Sequence, residues 1–159
     1  MDTNLEKQLA DKYPKILKHM GGDPRITCMA FGIECDNGWY SLIDKCMEKL
    51  QYFCDTCTKI GSPVQVIADQ IKEKYGTLRF YFSVDAEEKS YQIQYSIIED
   101  IVNSAEAEAE HTCEITGESG ALCKKGSWLK TLCRQSAKQH GYTASDSQLQ
   151  QYWDSLEKI

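Results

Sequence analysis

The sequence predicts an α+β fold: a small antiparallel sheet with a β-hairpin near 64–84, packed against two long amphipathic helices, plus a C-terminal zinc-ribbon-like loop module and a terminal helix. Three observations predict it. Leu78, Phe80, Phe82 and Val84 alternate with Arg79, Tyr81 and Ser83, the period of a half-buried strand. Trp39, Leu42, Ile43, Cys46, Met47, Leu50, Phe53, Cys54 and Cys57 recur at helical spacing and give a broad apolar stripe. From about Glu87 to Glu110, Tyr91, Tyr95, Ile98, Val102, Ala105 and Ala109 step by four and three. At 159 residues and 42% hydrophobic content, the chain suits a single domain, 1–159, with a cysteine-containing subregion at 111–159.

Taken in order, Asn4–Met20 reads as a helix interrupted at Pro14, with a break near Tyr13. The Gly21-Gly22-Asp23-Pro24 run is a loop, and Ile26–Ile33 is a short strand or an irregular segment. Asp36 or Asn37 caps the Trp39 helix, which Gly61-Ser62-Pro63 ends. The 87–110 helix packs on the sheet or on the Trp39 helix; its heptad spacing also offers a homodimer seam, which Ile93, Ile97 and Ile101 widen. After the cysteine region, Leu149, Tyr152, Trp153 and Leu156 mark a terminal helix over 145–159.

In the hairpin, Gly76-Thr77 suits a type II′ turn, with Tyr75 opposite Leu78, Lys74 opposite Arg79 and Glu73 opposite Phe80. A helix over Val66–Tyr75 is the alternative, since Ile67, Ile71 and Tyr75 recur every fourth residue. In the hairpin register one face is core, and the other gathers Lys72, Lys74 and Arg79 around Tyr81. Such a cationic face is either a solvated outer surface or a site for an anion or acidic partner, with Tyr81 as a stacking surface. Glu73, turned to the apolar face, is either paired with Arg79 or a lysine, or an acid or base perturbed by burial.

A net charge of −6 and a pI near 5.1 argue against direct duplex DNA binding. No apolar run reaches membrane-spanning length, and the opening MDTNLEKQ lacks signal-peptide order, so a soluble cytoplasmic protein is expected. Reduced thiols are then the default for the eight cysteines. Cys54-x-x-Cys57 falls on the apolar helix stripe and reads as core.

Cys113, Cys123 and Cys133 are the candidate metal ligands, and zinc the metal they would suit. A C-x-x-C pair would need further cysteines three residues after Cys113 and Cys133, where Thr116 and Ser136 stand instead. Neither is an ordinary zinc ligand, and the spacing of Cys123, His111 and His140 fits no familiar site, so the segment reads as a zinc-free remnant. Signatures of hydrolases, phosphate loops, zincins and dinucleotide sites are missing, and no catalytic residue is assigned.

Three blocks, FGIECDNGWYSLIDKC (31–46), QIKEKYGTLRFYFS (70–83) and TCEITGESG…GSWLKTLC (112–133), occur in this order. Together they resemble a family of small phage and prophage proteins, in which they read roughly GFECGDGWYDLID, QVKEKFGTLRFY and CEVCGAPG…GWLRTLCDEH. The chain departs from that pattern at Thr116 and Ser136, where the family has C-x-x-C and C-x-x-H spacing.

The resemblance implies a phage-encoded protein acting in the bacterial host cytoplasm. The first expected function is a non-enzymatic effector that binds and inhibits a host bacterial protein, an anti-defence inhibitor such as an anti-CRISPR. Its acidic surface around Asp100, Glu106, Glu108 and Glu110 would occupy a nucleic-acid channel of the host enzyme. The alternative is a sponge for a nucleotide signal, with Lys72, Lys74 and Arg79 on phosphates and Tyr81 stacked on a base. A zinc-dependent nucleic-acid module is the third reading.

Overall fold

A computed structural model describes residues 1–156 and has the expected α+β architecture, built as two interlocked layers. The larger layer holds α1 (Thr3–Lys12), β1 (Ile33–Glu34), α2 (Tyr40–Lys59), β2 (Val64–Lys74), β3 (Thr77–Ala86) and α3 (Glu88–Ala109). The smaller holds β4 (Ala121–Lys125), β5 (Trp128–Leu132), α4 (Arg134–His140), β6 (Thr143–Ala144) and α5 (Ser147–Ser155). Each has a three-stranded sheet, in the order β1-β2-β3 and β5-β4-β6. The only parallel pairing among them is the two-residue contact of β1 with β2.

The first core is assembled from the predicted stripes. Trp39, Leu42, Ile43, Cys46, Met47, Leu50, Cys54 and Cys57 of the second helical segment are buried against Val66, Ala68, Ile71, Leu78 and Phe80 of the hairpin. On α3 the buried positions are Gln94, Ile98, Val102, Ala105 and Ala109, packed onto α2 and β3. The seam is therefore filled from within the chain. Ile93 and Ile97 do not widen it but lie exposed, and Tyr91 stacks on Tyr95 at its edge. Gln94 is buried because its amide donates to the Ser62 carbonyl at 2.8 Å, closing the loop before β2.

Several boundaries differ from expectation. The segment before β1 forms a 3₁₀ turn over Cys28–Phe31, capped by Thr27, whose hydroxyl accepts from the Met29 amide. Asp36 and Asn37 do not cap α2; a 3₁₀ turn at Asn37–Trp39 starts it, and both side chains are engaged elsewhere. Residues 66–74 are strand, not helix, and Tyr75 begins the turn. The hairpin turns at Tyr75-Gly76, with φ of 56° and 83°, and pairs Lys74 with Thr77, Lys72 with Arg79 and Ile71 with Phe80. The expected register is thus off by two residues, a slip that preserves which face each side chain takes. A bulge near Asp69 then shifts the pairing once.

The C-terminal region is not a loop module. It folds as a knuckle over 113–120, a hairpin of β4 and β5, and then α4, around a small core of Cys113, Cys123, Leu132, Cys133 and Ala137. Of the terminal stripe, Trp153 packs against this core while Tyr152 and Leu156 stay exposed; residues 157–159 lie outside the described residues. All eight cysteines are free thiols. No helix among the described residues is long and apolar enough to cross a membrane.

Candidate functional site: the junction of three blocks

The three sequence blocks meet in space. Gly38, in the first, donates its amide to the Glu114 carbonyl at 2.7 Å, and the Trp39 indole donates to the Thr112 carbonyl at 2.8 Å. A side chain at Gly38 would overlap the backbone of Cys113, Glu114 and Gly117, so glycine is what lets the two segments approach. The Glu114 carboxylate, almost fully buried, accepts from the Asp36 amide at 3.1 Å and from Lys130 Nζ at 2.8 Å. Lys130 also reaches Asp36 at 2.8 Å. Burial pushes the Glu114 carboxyl up, opposed by Lys130. Burial acts to lower Lys130, but its hydrogen bonds to Asp36 and Glu114 outweigh it and hold the ammonium well above its ordinary value. From the second block, the Gly76 carbonyl accepts from Thr131 Oγ1 at 2.6 Å.

This junction lays the tip of the β2–β3 hairpin against the end of the β4–β5 hairpin remote from its turn, and brings 72–75 of the first beside 127–129 of the second. Between them opens a cleft of about 440 Å³, lined by Lys72, Glu73, Lys74, Tyr75, Ser127, Trp128 and Leu129. Trp128 is 73% exposed and Tyr75 71% exposed at its rim. Lys72 Nζ lies 5.7 Å from the Tyr81 ring centre and Lys74 Nζ 5.6 Å from that of Tyr75. Neither lysine makes an ion pair among the described residues, and Glu73, the carboxylate in the same lining, is turned to the Gly76 amide. The sequence marked Lys72, Lys74 and Tyr81, but not Trp128 or Tyr75. Trp128 belongs to a hairpin the sequence did not disclose.

Arg79 stands apart from this pair. Its guanidinium donates to the Leu78 carbonyl at 2.9 Å and pairs with Glu106 at 3.4 Å. The other Glu106 oxygen accepts from the Phe80 amide at 2.9 Å, closing part of the outer edge of β3. Glu106 therefore faces the sheet rather than an acidic outer patch, and Glu108 lies 3.6 Å from Lys45. Asp100 and Glu110 remain exposed, the latter beside His111 on the far side of the hairpin tip. Glu73 sits opposite Leu78, not Phe80, and accepts from the Gly76 amide at 2.6 Å within the turn instead of pairing with Arg79 or a lysine.

In the second core, Cys113, Thr116, Cys133 and Ser136 converge. Ser136 Oγ lies 3.7 Å from Cys113 Sγ and 3.3 Å from Cys133 Sγ, and Thr116 Oγ1 donates to Cys133 Sγ at 3.8 Å. Ligand sulfurs around a tetrahedral zinc are about 3.8 Å apart, given a bond of about 2.3 Å. Two of these three distances match that spacing, but the donors do not. Two thiols and two hydroxyls do not fit zinc, and Cys123 turns instead to the Ala121 and Leu132 carbonyls. No group of three or more His, Cys, Asp or Glu suited to a metal occurs among the described residues. The four polar groups close the cluster by hydrogen bonding to one another. Burial acts to raise the Cys113 thiol, but hydrogen bonds from Thr116, the Cys133 backbone and Ser136 outweigh it and bring it down to about 7.

No protein-family model, curated protein or solved structure gives a significant match to the chain.

Proposed function

We propose that this chain is a non-catalytic binding protein that docks on an acidic surface of a partner protein through the cleft between its two hairpins. The observation that carries the reading is the cleft itself: two lysines that make no ion pair, with two exposed aromatic side chains, on hairpins joined by the Thr131–Gly76 hydrogen bond. Aromatic anchors beside charges that steer encounter are the usual makings of a protein interface. The sequence resemblance adds where the partner would be found, in a bacterial host carrying a phage, and inhibition of a host defence protein is the role consistent with it. The docking face differs from the acidic one expected from sequence, because Glu106 and Glu108 lie beside cations of the same chain.

A nucleotide sponge would share Lys72 and Lys74 with this cleft and add Tyr81, which lies outside its lining with Lys72 over its ring. It is weakened by Arg79, whose guanidinium is held by Glu106 and would have to leave it to reach a phosphate.

Capture from host lysate tests the docking reading, using the native chain, the double variant Lys72→Glu/Lys74→Glu, the variant Trp128→Ala, and an Asp100→Asn/Glu110→Gln control. The reading expects one stoichiometric partner, retained by the control, lost by the first two variants and weakened by salt. Equal capture by all four, or no partner at all, would overturn it. Calorimetry with cyclic nucleotides on the native chain decides the sponge.

A further inference from the structure

The walls of the cleft are made of consecutive residues: Lys72, Glu73, Lys74 and Tyr75 on one side, Ser127, Trp128 and Leu129 on the other. Successive side chains of a strand point to opposite faces, so a wall formed by a continuous run is a strand edge, where backbone N–H and C=O groups point. On β2 this is the edge away from β3. Strand β1 covers it only where Ile33 pairs with Ile71 and Glu34 with Lys72. The chain then turns away at Cys35, and Asp36 is held aside by Lys130.

Strand β5 faces that gap. It is the outer strand of its own sheet, paired with β4 alone. Among the described residues, no turn or loop hydrogen bond from outside the hairpin engages the backbone of Lys74, Tyr75, Ser127, Trp128 or Leu129, and the ladder with β1 ends at the Glu34–Lys72 pair, one residue before Glu73. The cleft therefore lies between two strand edges, and the place β1 would occupy if it continued is open.

We propose, resting on the docking reading above, that this cleft receives an extended acidic segment of the partner as an added strand along β2. The main chain of that segment would take up the Glu73 carbonyl and the edge groups of Tyr75, beyond the last rung of the β1 ladder, the mode in which backbone bonds give affinity and alternate side chains give specificity. Lys72 and Lys74 are two residues apart on one face, about 7 Å along the strand. Carboxylates at alternate positions of an extended segment have the same repeat, so charge and spacing match together. Trp128 and Tyr75 border the cleft as flat apolar surfaces for the side chains between.

The test begins with a displayed library of random decapeptides, selected on the native chain and counter-selected on Lys72→Glu/Lys74→Glu. Enriched peptides are synthesised in two forms, the parent and versions N-methylated at alternate residues on either strand edge. N-methylation removes main-chain donors and leaves charge intact. The expected result is enrichment of acidic residues at alternate positions, with affinity reduced about tenfold or more by methylation of one edge and by the lysine exchange. Enrichment of nothing that the lysine exchange weakens, or equal binding of all methylated forms, overturns the added strand. The docking reading fails separately, if capture of the host partner is indifferent to Lys72 and Lys74. A lysine-sensitive partner together with methylation-indifferent peptides leaves docking standing and removes the strand.

Discussion

The hydroxyl of Thr131 donates to the carbonyl of Gly76 at 2.6 Å, joining two residues 55 positions apart and fixing the turn of the first hairpin against the far end of β5. Both are buried, so neither group has water as an alternative partner. Thr131→Val keeps the shape and orphans the Gly76 carbonyl, and should cost about 1–3 kcal/mol of stability. Gly38→Ala, at the other contact between the layers, drives a methyl group into three backbone atoms and should cost about 3 kcal/mol or more. Urea unfolding followed by tryptophan fluorescence measures both. An unchanged midpoint for Gly38→Ala would mean that the layers do not meet there.

The Lys130–Glu114 pair makes a second demand on the junction. Glu114 is the buried member, and removing Lys130 leaves its charge with only the Asp36 amide. Lys130→Met alone should destabilise by about 3–5 kcal/mol, whereas Lys130→Met with Glu114→Gln should recover most of that loss, because the uncompensated charge goes with the pair. A double variant no more stable than the single one would show that Lys130 acts through its contact with Asp36.

Much of this was legible in the chain, and the reason lies in which residues report locally. The stripe from Trp39 to Cys57 and the alternation from Leu78 to Val84 each follow one period, so they identify a helix and a strand without reference to anything distant. Lys72 and Lys74 were legible as a cationic face because a register slip of two residues leaves strand faces unchanged. The turn was misread because a tyrosine at φ 56° is unusual, and glycine first in the loop is the cheaper geometry. Trp128 and the strand edges were hidden for a different reason. They become a site only when the two hairpins are brought together by Gly38, Lys130 and Thr131, contacts between residues far apart in sequence. Thr116 and Ser136 could be placed at metal-ligand positions by spacing, but their mutual hydrogen bonds with the two cysteines required the fold.

The thiols give the protein a pH dependence with two opposite arms. Cys113 is lowered from 9.0 to about 7, so between about pH 7 and 9 it is ionised when folded and protonated when unfolded. The unfolded state then binds more protons, and stability should rise with pH through that window, by an amount on the order of 1–2 kcal/mol. Cys35 and Cys46 are pushed by burial to about 12 and Cys123 to about 11, each from 9.0, and Cys54 is also raised. Above pH 9 these ionise on unfolding, the sign reverses, and stability should fall. Denaturant midpoints from pH 6 to 11 under reducing conditions follow both arms. Cys113→Ser should flatten the rise between 7 and 9 and leave the later fall; a rise that survives the substitution would assign it to another group.

Tyr75 ties stability to the proposed docking. It is the sole non-glycine residue with positive φ among the described residues, at the first central position of a turn that asparagine fills with less strain. Tyr75→Asn should therefore stabilise the chain by about 0.5–1 kcal/mol, since the contacts of an exposed ring are few and the backbone strain is relieved. The same change removes one of the two aromatic walls of the cleft and the ring beneath the Lys74 ammonium. Partner capture should weaken while the melting temperature rises, the opposite of what a folding defect would give. Strain kept at a position where it does nothing for packing is what a binding residue would show. A variant that is more stable and binds the partner as well as the native chain would take Tyr75 out of the interface, and leave Trp128 as its one aromatic anchor.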